Sequence, residues 1–443
     1  MRWLRRARQS IPARWHTRLM TLLRAPRRLL AAWAVAGGLA SVVLAQPTNR
    51  PAYLPLAGGL KAQAELAEIG REMFFDAQLS ASGRVSCTSC HDPAHGHAPA
   101  NALPVQPGGS TVQGFRAAPS LRYLHALPPF TEHYYDNDGD ASIDAGPTGG
   151  YTWDGRAASA HEQARLPLLS PHEMGNASPA QFTRRLSGRP YASRLAALFG
   201  FALADQPEAA LDAAAMALEV FQQTPALFAP YTSKYDEVLR GRAQLNQQET
   251  RGLAVFNDPE RGNCASCHLS ERKPDGAFPL FTDFGHMALA APRNAAIQAN
   301  ANPSFFDLGL CGPLRTDFSD KPAYCGSFRT PSLRNVTVRR SFFHNGVFHS
   351  LEDVMRFYAE RDTHPERFYA KDAKGGVRVY DDLPPTYHAN VNQAPPFGRQ
   401  RGDTPAMTAQ EMADVIAFLH TLTDADLLPP PLHARTGNAP IAP

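Results

Sequence analysis

Two copies of one five-residue pattern carry most of the chemistry that this sequence can perform. Each has two cysteines separated by two residues and followed directly by a histidine: Cys87-Thr-Ser-Cys90-His91 and Cys264-Ala-Ser-Cys267-His268. This spacing is that of c-type haem attachment, in which both thiols form thioethers with the porphyrin and the imidazole binds the iron. Zinc or disulfide pairs are the alternative, but no further Cys-x-x-Cys remains to complete a four-thiolate zinc site. The sequence therefore predicts two covalently bound haem c groups.

The N-terminus indicates where the haems are attached. A basic stretch precedes an apolar run over residues 29–44, which predicts a signal peptide over residues 1–45. Met20 is an alternative start that would give a signal of ordinary length. An uncleaved anchor is the other interpretation, but Gly37-Gly38 and the short apolar run disfavour it. Export to the periplasm agrees with haem attachment outside the cytoplasm.

The charge of the exported chain excludes one class of partner. The leader carries nine arginines and no acid, so subtracting those charges from the +3 of the whole chain leaves −6. This mildly acidic balance gives no sign of nucleic-acid binding. No second apolar stretch is long enough to span a bilayer once the signal is cleaved.

The two cysteines outside the repeated pattern predict a structural link. Cys311 and Cys325 lie 14 residues apart in a loop that contains glycine and proline. In an oxidising compartment they most simply form a disulfide, which stabilises the fold by about 3 kcal/mol on the chain-entropy model. A redox-active pair is the less favoured alternative because of the wide spacing.

Helical patterns surround both predicted haem sites. Apolar periodicity predicts a helix over residues 61–75, and an Ala/Leu-rich helix over residues 207–224. Capping-box sequences predict two more, which begin at Asn246 and at Thr408. Alternation typical of strands is scarce, so the fold class is mainly α.

The separation of the two patterns predicts two domains. Because 177 positions separate His91 from His268, each haem is expected to anchor its own domain. We predict an N-terminal domain over residues 46–235, a C-terminal domain over residues 246–427 and a disordered tail over residues 428–443. One larger helical domain is the alternative.

Five segments resemble the di-haem bacterial cytochrome c peroxidases and their MauG-type relatives. They are Gly70-Arg-Glu-Met-Phe-Phe75, Cys87–Pro93, Trp153-Asp-Gly-Arg156, Phe328-Arg-Thr-Pro-Ser-Leu-Arg-Asn335 and Phe343-His-Asn-Gly346. The similarity extends over most of residues 60–425. The resemblance implies two cytochrome-c-like helical domains with the active site at their interface. The N-terminal haem would then meet peroxide, and the C-terminal haem would relay electrons.

The resemblance assigns the peroxide chemistry to three side chains. Glu173 and Gln163 stand where the family places its distal glutamate and glutamine, and Trp153 matches the tryptophan between the haems. Cleavage of an O–O bond needs a base that takes a proton from one oxygen and returns it to the other. A solvated Glu and Gln on the surface are the alternative interpretation.

The first iron is expected to have an open sixth position. The cytochrome c peroxidases place a displaceable histidine where this chain has Pro107. His95 and His97 follow His91 too closely to reach the opposite face of its haem, so we expect them to be loop or propionate-contacting residues. This absence resembles the MauG type.

The sixth ligand of the second haem is predicted to be Tyr358. Family members that accept electrons from small cytochromes have a methionine 14 residues after His344, where this chain has tyrosine. A thioether raises the haem potential, whereas a phenolate favours the oxidised metal. The alternative is Met355, one helical turn earlier on the same face.

A calcium ion is a further possible cofactor. The family holds it between the domains with an asparagine in Arg-Asn-x-Pro, but this chain has Arg116-Ala117-Ala118-Pro119. The insertion Asp136-Asn-Asp-Gly-Asp140 with Asp144 offers substitute carboxylates. A solvated turn is the alternative interpretation of these aspartates.

Three functions follow from these features. The first is a periplasmic peroxidase that reduces hydrogen peroxide and takes electrons from a small donor protein through Trp153 and the second haem. The second is a MauG-type enzyme that oxidises an aromatic residue of a partner protein. The third, a non-catalytic electron carrier, is disfavoured because a carrier has two six-coordinate irons and no need of Glu173.

Overall fold

A computed structural model describes residues 59–135 and 144–429 as a mainly helical chain. Its helices are α1 (Gly59–Phe75), α2 (Ala160–Leu169), α3 (Pro179–Ser187), α4 (Ala192–Phe199), α5 (Pro207–Gln222), α6 (Pro225–Phe228), α7 (Lys234–Leu239), α8 (Gln247–Asn257), α9 (Leu351–Glu360) and α10 (Ala409–His420). Two short strands, β1 (His286–Met287) and β2 (Phe328–Arg329), pair antiparallel. The prediction of a mainly α fold is confirmed. The predicted signal peptide and nearly all of the predicted tail lie outside the described residues.

The helix ends follow the capping signals in the sequence. Asn246 accepts a hydrogen bond from the N–H of Glu249, whose carboxylate accepts one from the N–H of Asn246, and this capping box begins α8. Thr408 and Glu411 form the same reciprocal pair before α10. Each box satisfies two N–H groups that a helix start leaves without an intrahelical partner. Both helix starts were therefore predicted correctly.

Two helix pairs cross in the same way, each at a glycine. A Cβ built on Gly70 of α1 would overlap the backbone of α5 and lie 2.9 Å from the Cβ of Phe221. A Cβ built on Gly252 of α8 would overlap the backbone of α10 and lie 2.9 Å from the Cβ of Phe418. Glycine costs a helix interior about 0.5–1 kcal/mol, but here it lets two backbones touch.

Each crossing belongs to a separate hydrophobic core. The first core draws on residues 66–228, and Cys87 packs against it. The second draws on residues 235–422, and Cys264 packs against it. All described residues lie within one compact unit of chain, residues 47–443. The domain bounds 46–235 and 246–427 therefore stay a prediction.

The disulfide between Cys311 and Cys325 is confirmed. It closes a loop of 14 residues beside β2, and the backbone carbonyl of Cys325 accepts a hydrogen bond from the side chain of Asn390 at 3.0 Å. The link therefore ties the long loop before β2 to the chain that follows it. The other four cysteines form no disulfide.

No helix within residues 59–135 and 144–429 has the length and apolar character needed to cross a membrane.

Candidate haem centres and active site

Each Cys-x-x-Cys pattern begins with a short 3-10 turn that ends two residues before its histidine. The turns span Cys87–Ser89 and Cys264–Ser266. Burial is the main reason that the pKa of Cys87 and of Cys264 rises to about 12. Burial thus favours the neutral form of both thiols.

The two histidines are held in the same way by backbone carbonyls. Nδ1 of His91 lies 3.2 Å from the carbonyl oxygen of His97, and Nδ1 of His268 lies 2.8 Å from that of Phe281. A carbonyl can only accept, so Nδ1 carries the proton and Nε2 keeps a lone pair for a metal. Burial also lowers the pKa of both imidazoles to about 4, so they are neutral. Both side chains are thus prepared as metal ligands.

A short sequence repeat supports both histidines. Pro-Ser-Leu-Arg occurs at residues 119–122 and again at residues 331–334. The backbone of Pro119 is a hydrogen-bond partner of His91, and that of Pro331 is a partner of His268. This repeat was visible in the sequence, but its distance from the Cys-x-x-Cys patterns hid its role, and sequence analysis missed it.

A cavity surrounds the second pattern and fits a haem. His268, Tyr358 and Met355 line it, together with Trp153 and Arg329. One guanidinium nitrogen of Arg329, Nη1, is buried without a hydrogen-bond partner, and burial lowers the pKa of this side chain to about 10. The Nε of Arg329 donates to the carbonyl of Thr152 at 3.1 Å, but no carboxylate among the described residues pairs with this buried charge. A buried cation is stabilised by an anion, and a haem carries two carboxylates. The residues present therefore fit a haem at this place.

Tyr358 and Met355 both face this cavity from α9. Burial raises the pKa of Tyr358 above its usual value, and the nearby thiols of Cys264 and Cys267 raise it further. The ring of Tyr358 stacks on that of Phe397 at a centroid distance of 5.4 Å. Because both side chains line the same space, the choice of Tyr358 as the ligand stays a prediction.

Trp153 forms hydrogen bonds with backbone segments that lie near each of the two centres. Its Nε1 donates to the carbonyl of Ala117 at 2.7 Å, and the N–H of Ala117 donates to the carbonyl of His344 at 2.6 Å. The carbonyl of Trp153 accepts from the N–H of Arg329 at 2.8 Å. The indole is only 8% exposed and lines the cavity of the second centre. Trp153 thus lies in direct contact with segments that belong to both halves of the chain.

An ion-pair network next to Trp153 was not predicted. Arg116 bonds to Asp154 at 2.6 Å and to Asp307 at 2.6 and 2.7 Å, and all three side chains are buried. Burial would raise the pKa of Asp154, but Arg116 and Arg156 outweigh it and lower this pKa to about 2. Because Asp154 directly follows Trp153 in the chain, the network fixes the backbone next to this tryptophan. Its members are up to 191 residues apart in sequence, so no local pattern could reveal it.

Glu173 lies close to the first pair of thiols. Burial raises the pKa of Cys90 to about 12, and the next cause is the charge of Glu173. The protein atoms that surround the carboxyl of Glu173 raise the pKa of this group as well. Glu173 is nevertheless exposed to solvent. An accessible carboxyl with a raised pKa is suited to proton exchange.

Gln163 lies half-buried in the first turn of α2. Among the described residues, no hydrogen bond joins its side chain to Glu173. The structure therefore places Glu173 beside the first centre and leaves the role of Gln163 a prediction.

A glycine-containing loop over residues 104–114 covers Glu173. The N–H of Gly109 donates to the carbonyl of Glu173, and a Cβ on Gly108 would overlap the backbone of His172. Ser110 donates to the carbonyl of Pro171 at 2.6 Å. This loop contains Pro107, the position at which related proteins have a histidine. Sequence analysis did not assign the loop a role because its contacts depend on the tertiary fold.

His97 packs near the first centre. Its ring lies 4.2 Å from that of Phe228, and its carbonyl is the partner of His91 Nδ1. The expectation that His97 does not reach the opposite face of the haem stays a prediction. His95 lines the cavity of the second centre and its Nδ1 lies 3.0 Å from Asp92.

The residues near the expected calcium position do not fit that ion. Ala117 has no side-chain oxygen, and its carbonyl is bonded to Trp153. Of the substitute aspartates, residues 136–143 lie outside the described part of the chain. Asp144 bonds to His133 and to the N–H of Gly146. Residues 59–135 and 144–429 contain no cluster of three or more His, Cys, Asp or Glu side chains that could hold a metal.

Comparison with known proteins agrees with this geometry. A family model described as di-haem cytochrome c peroxidase matches residues 64–244. The methylamine utilization protein MauG of Paracoccus denitrificans is 35% identical over 302 residues, which cover 66% of this chain and 74% of that protein. Cytochrome c551 peroxidase of Nitrosomonas europaea is 27% identical, with coverage of 66% and 72%. The crystal structure of the diheme peroxidase BthA from Burkholderia thailandensis matches with a TM-score of 0.74 at 39% identity, over 82% of this chain and 86% of that one. The chain belongs to the family of di-haem cytochrome c peroxidases and MauG proteins.

Proposed function

We propose that this protein is a periplasmic di-haem peroxidase that reduces hydrogen peroxide at its first centre and receives electrons through its second. The observation that carries the proposal is the carboxyl of Glu173, which lies next to Cys87 and Cys90 and has a raised pKa. An electron carrier has no use for such a group. The relatives named as peroxidases support the same conclusion.

The chain's own residues would hold the two cofactors as follows. His91 would bind the first iron through Nε2, with thioethers from Cys87 and Cys90. His268 would do the same at the second centre, with Cys264 and Cys267. When bound, the haems supply the oxidation and reduction of peroxide. The active site would lie between two cytochrome-c-like domains, as the resemblance implies.

The task of Glu173 would be to move a proton between the two oxygens of peroxide. A carboxyl with a raised pKa keeps its proton to a higher pH than an ordinary carboxyl does, which suits it to take up and return a proton. Gln163 would orient the peroxide from α2.

At the second centre Tyr358 would be the sixth ligand. A phenolate stabilises the oxidised iron, whereas the thioether of Met355 would stabilise the reduced one. Trp153 would be the path for electrons, because its ring lies in the second cavity and its Nε1 bonds to the segment next to the first centre.

A second candidate is a MauG-type enzyme that oxidises an aromatic residue of a partner protein. The 35% identity to a MauG protein favours it, as does Tyr358 in place of methionine. In that case the partner protein would replace the small electron donor.

One comparison tests the first proposal and separates the two. The holoprotein and its Glu173→Gln variant are mixed with peroxide and a reduced small cytochrome. General acid–base catalysis contributes about 10²–10⁴-fold, so we expect peroxide consumption to fall by at least 10²-fold in the variant while the absorption of the resting haems is unchanged. An unchanged rate in Glu173→Gln would refute the role of this carboxyl. Peroxide reaction without oxidation of any small cytochrome would favour the MauG-type function.

A further inference from the structure

A single guanidinium joins the segment after the first centre to the segment before α9. Nη2 of Arg339 donates to the carbonyl of Ala118 at 3.2 Å, and its Nε donates to the carbonyl of Ser341 at 3.3 Å. Protein atoms enclose the side chain, and burial lowers its pKa to about 10. Within the described ranges no carboxylate forms an ion pair with it, and its side chain lines the cavity of the second centre.

Backbone carbonyl oxygens are among the ligands by which proteins bind hard cations, and here two of them bond to one positive charge. Here the charge is covalently part of the chain. The guanidinium is planar, always charged and able to bond to several oxygens at once, so it can hold two carbonyls in a fixed relation. A divalent ion at the same place would meet this charge at close range without any carboxylate to offset it.

Arg339 joins two segments whose backbone contacts His91 and Trp153. Ala118 precedes Pro119, whose backbone contacts His91, and follows Ala117, which accepts the hydrogen bond of Trp153. Ser341 precedes His344, whose carbonyl accepts from Ala117. A break at Arg339 would therefore disturb the surroundings of Trp153 and His91 together.

We propose that the guanidinium of Arg339 replaces the calcium ion expected between the two halves of the chain. The protein then needs no divalent cation to keep its two centres in their relative position. This inference does not depend on the reaction that the centres perform.

The first test uses the unaltered holoprotein. It is gel-filtered, its calcium content is measured, and its haem absorption and unfolding temperature are recorded with EGTA and with added CaCl2. We expect neither additive to change either signal. Calcium that EGTA removes without a change in these signals agrees with the proposal, because it then belongs to another site. Calcium whose removal alters the haem absorption would overturn the proposal.

The second test compares two neighbouring arginines. Arg339→Gln removes the enclosed charge, whereas Arg340→Gln removes the same charge from an exposed side chain. A hydrogen bond from a charged group contributes about 1.5–3 kcal/mol, so Arg339→Gln should lower the unfolding temperature by about 2–5 °C and alter the haem absorption. Arg339→Lys should restore part of both, and Arg340→Gln should leave both unchanged. Equal behaviour of Arg339→Gln and Arg340→Gln would overturn the proposal even if the first test agrees with it.

Discussion

The loop over Glu173 gives the sharpest test of how the proposed active site is held. A Cβ added to Gly108 would overlap the carbonyl of His172 and lie 2.9 Å from the backbone nitrogen of Glu173. All the atoms that it meets are backbone, so no flexible side chain can move aside. The loop must shift by about 1 Å before an ordinary contact distance is reached, and the bond from Gly109 to Glu173 is then lost.

The size of the effect follows from these contacts. Overpacking costs about 1–3 kcal/mol, but a surface loop can relieve part of it by moving. A misplacement of about 1 Å near a reacting group costs about 10²-fold in rate. For Gly108→Ala we therefore expect the reaction with peroxide to slow by about 10²-fold, while the unfolding temperature falls by only a few degrees. Stopped-flow absorption at the haem bands and thermal unfolding measure the two quantities.

A matched control separates this effect from that of any glycine substitution. Gly188 follows α3 with a φ of −84°, and its added Cβ would lie 3.5 Å from the nearest atom, the carbonyl oxygen of Arg185. Gly188→Ala should change neither rate nor stability beyond about 0.5 kcal/mol. If Gly108→Ala reacts with peroxide as fast as Gly188→Ala, the loop does not position Glu173 and the reasoning is refuted.

Three further predictions concern the second centre and its neighbours. Tyr358→Phe should change the absorption and electron paramagnetic resonance of one resting iron while Met355→Leu leaves both signals unchanged, and the opposite result would assign the ligand to Met355. Trp153→Phe should slow the oxidation of the second centre by peroxide while the first centre still reacts, because it replaces the indole ring proposed to carry electrons and removes the hydrogen bond of Nε1. If rapid mixing shows that the second centre is oxidised equally fast in the variant and the unaltered protein, Trp153 is not the electron path. Asp154 has a pKa lowered to about 2, so its ionised form stabilises the fold above about pH 4, and this contribution, on the order of 2 kcal/mol, is lost as the pH falls through 2. Asp154→Asn should therefore be less stable than the unaltered protein at pH 6, with the difference shrinking towards pH 2; a difference in unfolding free energy that is independent of pH would contradict it.

The sequence alone predicted the features whose contacts join residues close together in the chain. The capping boxes at Asn246 and Thr408 begin helices because their bonds span only three residues. The Cys311–Cys325 disulfide followed from elimination, since the other four cysteines are committed to a short pattern. The repeated pattern also predicts two haem attachment points, because both thiols and the histidine lie within one turn of chain.

The relation between the two centres was decided by the tertiary structure. The carbonyl partners of His91 and His268, the bond from Trp153 to Ala117 and the pairing of Arg116 with Asp307 join residues that are six to 191 positions apart. Such contacts depend on how two cores place their loops, and residue type does not specify this. The sequence named Glu173, Trp153 and Tyr358 only through resemblance. It could not show that Arg339 reaches the carbonyl of Ala118, because a buried charge finds its partners only after the chain has folded around it.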